Sequence, residues 1–248
     1  MKPLDFFFDT YDRIGQLFSR KPGNSPEHSS WWARLLPPLI LLLIVFQFVL
    51  MFLWDSEPDA FDPQTQAASL SSQRNETRAT GYTTVATLIH VSETLLDKRG
   101  GYLSNDVIPT GLIMDNIPNW EFGVLSQIRD MTLSLRNDLT RSQSQSTEDK
   151  DIVQAENQFR IDSESWMLPP SESEYRKAIN ALYSYLGRLS DDNAQDAQFY
   201  ARADNLSEWL GMVSKRLGSL SQRLSASVGQ ARLNTDLAGD AQAQQSTQ

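Results

Sequence analysis

The sequence predicts an all-α protein: one N-terminal transmembrane helix, then an extracytoplasmic antiparallel bundle of about four helices. Three observations carry this. Residues 35–54 form one apolar run without a charge. Beyond it, apolar side chains recur at helical spacing in several stretches, and no outer segment sustains the alternation of a half-buried strand.

The apolar run, LLPPLILLLIVFQFVLMFLW, is 20 residues and would span about 30 Å as a helix, the thickness of a hydrocarbon core. Fifteen of its residues are Leu, Ile, Val or Phe. Together they favour insertion by about 7 kcal/mol. Pro37 and Pro38 are expected in the first turn, where a missing N–H costs little. Trp31, Trp32 and Trp54 bracket the span as interfacial aromatics do. A cleaved signal peptide is disfavoured, because the run starts at residue 35 and Asp-Ser-Glu-Pro, not a small-x-small site, follows it.

Arg20, Lys21 and Arg34 precede the span; Asp55, Glu57, Asp59 and Asp62 follow it, with no basic residue before Arg74. The positive-inside rule then puts the N-terminus in the cytoplasm. Gln47, inside the span, has two readings: a hydrogen bond between helices that promotes self-association, or a tolerated single polar group.

Charge is lopsided. Residues 1–54 hold five basic and four acidic side chains, which leaves 17 basic and 27 acidic for the rest of a chain with net charge -9. An acidic domain without a basic stripe is a poor nucleic-acid binder and is repelled by anionic headgroups. The absence of cysteine excludes disulfides, thiolate metal sites and a cysteine nucleophile.

The arm 1–34 carries Leu4, Phe7, Phe8, Tyr11, Ile14, Leu17 and Phe18 at helical spacing. Its Asp5, Asp9 and Asp12 fit partner docking better than a lipid-surface helix. Residues 55–79 read as an acidic, polar tether. The outer domain, 80–230, opens with a helix over 80–98 whose face is Val85, Leu88, Ile89, Ser92, Leu95 and Leu96, stopped by Gly100-Gly101. Residues 100–120 then form a long loop. From Trp120 the period returns at Val124, Ile128, Met131, Leu135 and Leu139, and no Gly or Pro occurs from Val124 through Leu168. One helix of about 45 residues is favoured there over two broken near Ser146. Ser171-Glu172-Ser173-Glu174 matches a capping box for a helix presenting Tyr175, Ala178, Leu182, Leu186 and Leu189. Asp191, Asp192 and Asn193 offer a cap for the last helix. From Leu206 through Val213, Leu217, Leu220 and Leu224 its apolar residues alternate at three- and four-residue steps, the signature of a packed seam. Residues 231–248 read as a disordered tail.

Candidate chemistry is sparse. His28 and His90 are the only histidines and no paired-His motif exists, so no metal, cofactor or catalytic residue is assigned. Ser142, Ser144 and Ser146 lack a Gly-x-Ser-x-Gly context. The aromatics Trp166, Tyr175, Tyr183, Tyr185, Tyr200 and Trp209 fall at helical spacing and read as core. The loop is the candidate partner or ligand contact, through Tyr102, Asn105, Asp106, Asp115, Asn116 and Trp120. Its two carboxylates with aromatics would suit sugar binding or cleavage, and Asp and Asn in such loops also cap turns.

The segments GGYLSNDVIPTG, MDNIPNWEFGVLSQIRD, RSQSQSTEDKD and the SESW before Pro169 resemble the bacterial family known as domain of unknown function 2333, over nearly the whole chain. The resemblance implies a Gram-negative inner-membrane protein facing the periplasm. It implies no activity and carries over no functional residues. The expected role is a non-enzymatic, membrane-anchored module for protein–protein interaction in the envelope, with an envelope protein as partner and self-association open. A ligand-sensing domain and a cell-wall hydrolase or its regulator are the alternatives.

Overall fold

Every regular element among the described residues is a helix, as the periodicity predicts. The computed structural model describes residues 31–106, 114, 116–141, 147–191 and 196–229. The arm helix and the tail expected at 231–248 lie outside these residues. The chain divides into two compact units, Met1–Gln47 and Phe48–Gln248.

Helix α1, Trp31–Trp54, contains the 20-residue stretch Leu35–Trp54, long and apolar enough to cross a membrane and without a buried position. It begins earlier than the prolines suggest. Pro37 and Pro38 lie inside it rather than in its first turn, and each removes one backbone hydrogen bond to the preceding turn.

A second helix, α2 (Pro63–Arg74), occupies the segment read as a tether. The correction has a local cause. Asp62 accepts from the backbone N–H of Thr65 at 2.8 Å, Pro63 fills the first helical position, and Asn75 closes the far end in the left-handed conformation (φ 52°). Ala67 and Ser71 bury the inner face, and α2 packs on α3, Tyr82–Asp97.

Helix α3 buries Val85, Leu88, Ile89, Ser92, Leu95 and Leu96, the face its sequence predicts. Gly81 precedes it at φ 88° and Gly100 and Gly101 follow it at 85° and 74°, a backbone region that glycine enters at little cost.

The long helix expected over 120–168 is not formed. Helix α4 runs Asn116–Ser134 and ends in a π-helical turn, Leu135–Leu139, where Thr140 bonds Leu135 O through both its N–H and its hydroxyl. A separate helix α5, Lys150–Phe159, starts where the Asp149 carboxylate accepts from the N–H groups of Asp151 and Ile152. Asp, Ser and Thr in the polar run between them compete for backbone groups and favour such a restart. Arg129 then takes the carbonyls of Phe159 (2.6 Å) and Ile161 (2.8 Å), closing α5 well before Leu168.

Helix α6, Ser171–Leu189, presents the expected face but not the expected capping box. Pro170 holds the cap position and Ser171 is already the first helical residue, its hydroxyl donating back to Asp162 O (2.6 Å) and Ser165 O (2.9 Å). Helix α7 starts at Ala203, not beside Asp191, and runs to Gly229.

Helix α3 contacts α4 and α6, and α5 contacts the same two. Tyr82, Ile89 and Leu95 meet Leu125, Ile128 and Leu135, Ile152 and Phe159, and Tyr175, Ile179 and Tyr185 in one core. Of the other aromatics read as core, Tyr183 and Trp209 are half-buried and Trp166 is 60% exposed.

Candidate functional site

The first residues of the long loop are fastened to the helices beneath them. Gly100 and Gly101 turn the chain back over the end of α3, and Asp106 N–H donates to Leu103 O at 3.1 Å to form a turn. Below that turn lies the Glu121 side chain of α4, fully buried. It accepts from the backbone N–H of Leu103 and of Ser104, each at 2.8 Å, and from the Ser104 hydroxyl. Lys98, just past α3 and only 3% exposed at its side chain, donates to Glu121 and to Gly101 O. One carboxylate thus gathers a helix end, a loop and a second helix.

Tyr102 and Asn105, expected as contact residues, are buried at 4% and 5% exposure. The Tyr102 hydroxyl donates to Ser163 O at 3.1 Å, and its ring meets that of Tyr175 edge-on at 5.7 Å. Burial pushes its phenol well above the usual range. Asn105 donates to Ser165 O (2.9 Å) and Glu172 (2.8 Å), joining the loop to the start of α6. In this structure both hold the loop down.

The other candidates separate. Asp106 is half-buried; burial first, then the charges of Glu172 and Glu121, raise its carboxyl above the usual value. Asn116 is exposed at the start of α4, and Trp120 is half-buried against the core. Asp115 lies outside the described residues, as do Ser142, Ser144, Ser146 and His28. Leu103, Met114 and Ile117 form a small apolar cluster with Met51 and Trp54. Side chains added at Gly100 would strike the Trp54 ring, 2.8 Å from its Cβ position.

A polar cleft of about 610 Å³ opens beside α3, between His90, Glu93, Asp97 and Arg99 on one side and Ser56–Asp59 on the other. His90 is engaged, with Gln66 at 3.1 Å and Phe61 edge-on at 4.3 Å. Asp97 is gripped by both Arg176 nitrogens, at 2.9 and 2.5 Å, which holds its carboxyl below the usual range. Among the described residues no group of three His, Cys, Asp or Glu side chains is placed to hold a metal ion.

Among the described residues the five buried carboxylates are all paired. Glu121 meets Lys98, Asp130 meets Arg216, Asp151 meets Arg188, Glu156 meets Arg136 and Arg160, and Glu174 meets Lys177. The residues that fasten the loop were partly visible in sequence. Glu121 sits four residues from both Ile117 and Leu125, on the apolar stripe of its helix, where a carboxylate signals an internal partner. Nothing comparable marked Lys98.

Helix α7 differs from the rest. Asn205 donates to Asp138 O (2.6 Å), Arg216 pairs with Asp130 (2.7 Å), and Trp209 packs on the core. These residues lie along one side of α7. Leu206, Leu210, Leu217, Leu220 and Leu224 are 48–68% exposed. The seam read from sequence is therefore uncovered by the described residues, a correction to the expectation that it packs within the chain.

Residues 25–248 match the model of a family described as "uncharacterized protein conserved in bacteria (DUF2333)". No curated protein and no solved structure matches the chain. The chain belongs to this bacterial family, as the resemblance implied.

Proposed function

From membership of this bacterial family, we propose that the protein is a non-enzymatic module of the cell envelope that binds another protein. Helix α1 anchors it in the inner membrane, with the arm in the cytoplasm and the helical domain in the periplasm. The mutual contacts of α3, α4, α5 and α6 support a helical bundle, though of other helices than the four the sequence suggests, since the long helix is split and α7 lies outside this set. The charge asymmetry around residues 35–54 supports the orientation. An alkaline phosphatase fusion after residue 80 is expected to be active; a well-expressed, inactive fusion would overturn the topology.

One observation carries the binding role: the leucine seam of α7 lies open while the adjoining flank of the helix is docked. Contiguous apolar surface of this extent marks an interaction site. The loop 100–120, with Tyr102 and Asn105 turned inward, is the weaker candidate. A photo-crosslinking residue at Leu210, Leu217 or Leu224 in full-length protein in intact cells is expected to give a discrete protein adduct, and one at Lys215 or Tyr102 is not. Seam positions that capture no protein at all would refute the role.

A ligand-sensing role is the second reading, favoured by the 610 Å³ cleft beside α3. Its lining mixes Glu57, Asp59 and Glu93 with Arg99, which suits a small polar molecule carrying positive charge. A ligand-dependent rise in the melting temperature of the full chain, lost in Glu93→Gln, would support that reading.

A further inference from the structure

The occupant of the α7 seam follows from the surface itself. Leu206, Leu210, Val213, Leu217, Leu220 and Leu224 are separated by steps of four, three, four, three and four residues. This is the a/d spacing of a coiled coil, sustained without a break. With Leu210, Leu217 and Leu224 at a positions, the g positions are Trp209, Arg216 and Arg223, and the e positions are Ser207, Ser214 and Ser221. The chain's own core takes the g side, through Trp209 and the Arg216–Asp130 pair. The e side is small and uncharged.

Beside the serines, at b positions, lie Gly211 and Gly218. A Cβ added at either meets nothing within 4 Å. Glycine inside a helix costs about 1 kcal/mol relative to alanine, and no neighbour in the described chain uses the space these two leave open. A bare helical flank beside a leucine ridge lets a second helix approach closely and lay its own ridge against it. Ridge and bare flank on the same helix make the surface complementary to itself, the condition for a two-fold interface between identical chains. Charge is compatible as well: Arg216 on the g side is already neutralised by Asp130, the e side carries only serines, and no like charges meet in parallel pairing.

The extent also suffices. A helix of 27 residues is about 40 Å long and about 10 Å wide. Two paired along that length bury on the order of 1,000 Å² in total, the threshold for a specific interface. In α1 the single polar side chain of the span, Gln47, has an Oε1 without a hydrogen-bond partner, and a second Gln47 would supply one.

We infer that α7 pairs with α7 of a second copy of this chain through the Leu206–Leu224 seam. This rests on the proposed binding role and names its partner.

The chain has no cysteine, so single cysteines report without background. Full-length chains carrying two different tags are co-expressed and oxidised in membranes, with cysteine at 210, 213, 217, 220 or 224, or at the outward positions 215 and 222. At least one seam position is expected to give a disulfide dimer bearing both tags, and the outward positions none. In detergent the parent is expected to weigh two chains of 28.0 kDa, and Leu217→Asp, at a site 58% exposed, one chain with unchanged helical content. Dimers equal at seam and outward positions, or a parent that weighs one chain with no seam disulfide, overturn the pairing. If photo-crosslinking at the seam then captures a different protein, the binding role stands and only the self-pairing falls. Seam cysteines shielded from a water-soluble maleimide by membranes, without dimers, would assign the ridge to lipid. No protein captured at all removes both.

Discussion

Replacing Glu121 with alanine is expected to destabilise the helical domain by about 4 kcal/mol. The side chain is fully buried and takes two backbone N–H groups at 2.8 Å, the Ser104 hydroxyl and the Lys98 ammonium. Its removal leaves an ammonium that is 3% exposed without a counter-charge, with only the Gly101 carbonyl as partner. Losing one partner of a buried ion pair costs roughly 3–5 kcal/mol, and each orphaned buried donor costs roughly 1–3 kcal/mol before relaxation or water entry relieves it. Lys98→Met is expected to cost less, about 2 kcal/mol, because Glu121 keeps three donors when the ammonium is gone. The double variant should then cost clearly less than the sum of the singles.

The assay is urea denaturation of the full chain in detergent, followed by circular dichroism. Limited proteolysis in parallel should show cleavage near Leu103–Asp106 in Glu121→Ala before the helices unfold. A Glu121→Ala variant within about 1 kcal/mol of the parent would refute the account. So would a Lys98→Met variant that loses more than Glu121→Ala.

Asp106→Asn should raise stability at neutral pH. Burial lifts the folded-state carboxyl above its unfolded value, so ionisation opposes folding and the parent gains stability as pH falls through the carboxylate range. The advantage of the variant should shrink over that range, and a pH-independent difference in denaturation midpoint would contradict the assignment. Asp97 has the opposite sign. Arg176 depresses its carboxyl, so the stability it contributes is present at neutral pH and disappears as pH falls below its folded value; in Asp97→Asn that acid-limb loss should flatten. Gly81→Ala should cost about 1–3 kcal/mol, since its φ is 88° and its Cβ would overlap the Phe199 ring. A melting temperature equal to the parent's would show that the backbone there relaxes freely.

Elements that bury a broad apolar face were legible. Helix α3 shows all six predicted face positions buried, and α6 shows its five, because burial follows period directly. Helix α2 was hidden because its inner face is only Ala67, Ser71 and half-buried Leu70. Its caps carried the message instead, in Asp62-Pro63-x-Thr65 and Asn75. The break between α4 and α5 was obscured by the lack of Gly and Pro. There the deciding groups are Asp149, which caps a new helix, and Arg136, which reaches across to Glu148 and Glu156 at 3.0 Å each. Period alone cannot see a polar restart. The loop candidates were found as a cluster but not as inward-facing residues, since sequence shows that Tyr102 and Asn105 are near Gly and Asp and not which way they turn.

Polar and apolar surfaces are treated differently in this molecule, and the contrast bears on function. Among the described residues each buried carboxylate has a basic partner inside the chain. Arg188 alone spans Asp149 and Asp151 at 2.8 and 2.7 Å, with Ser184 on the same carboxylate. Such internal closure ties the helices of the core to one another. Against it, α7 leaves five leucines about half in water. At roughly 25 cal/mol per Å², covering them fully is worth on the order of 10 kcal/mol before the cost of association, comparable with the whole stability of a small domain. The proposed association therefore draws on the most regular apolar ridge among the described residues, where covering exposed leucines gives the largest gain.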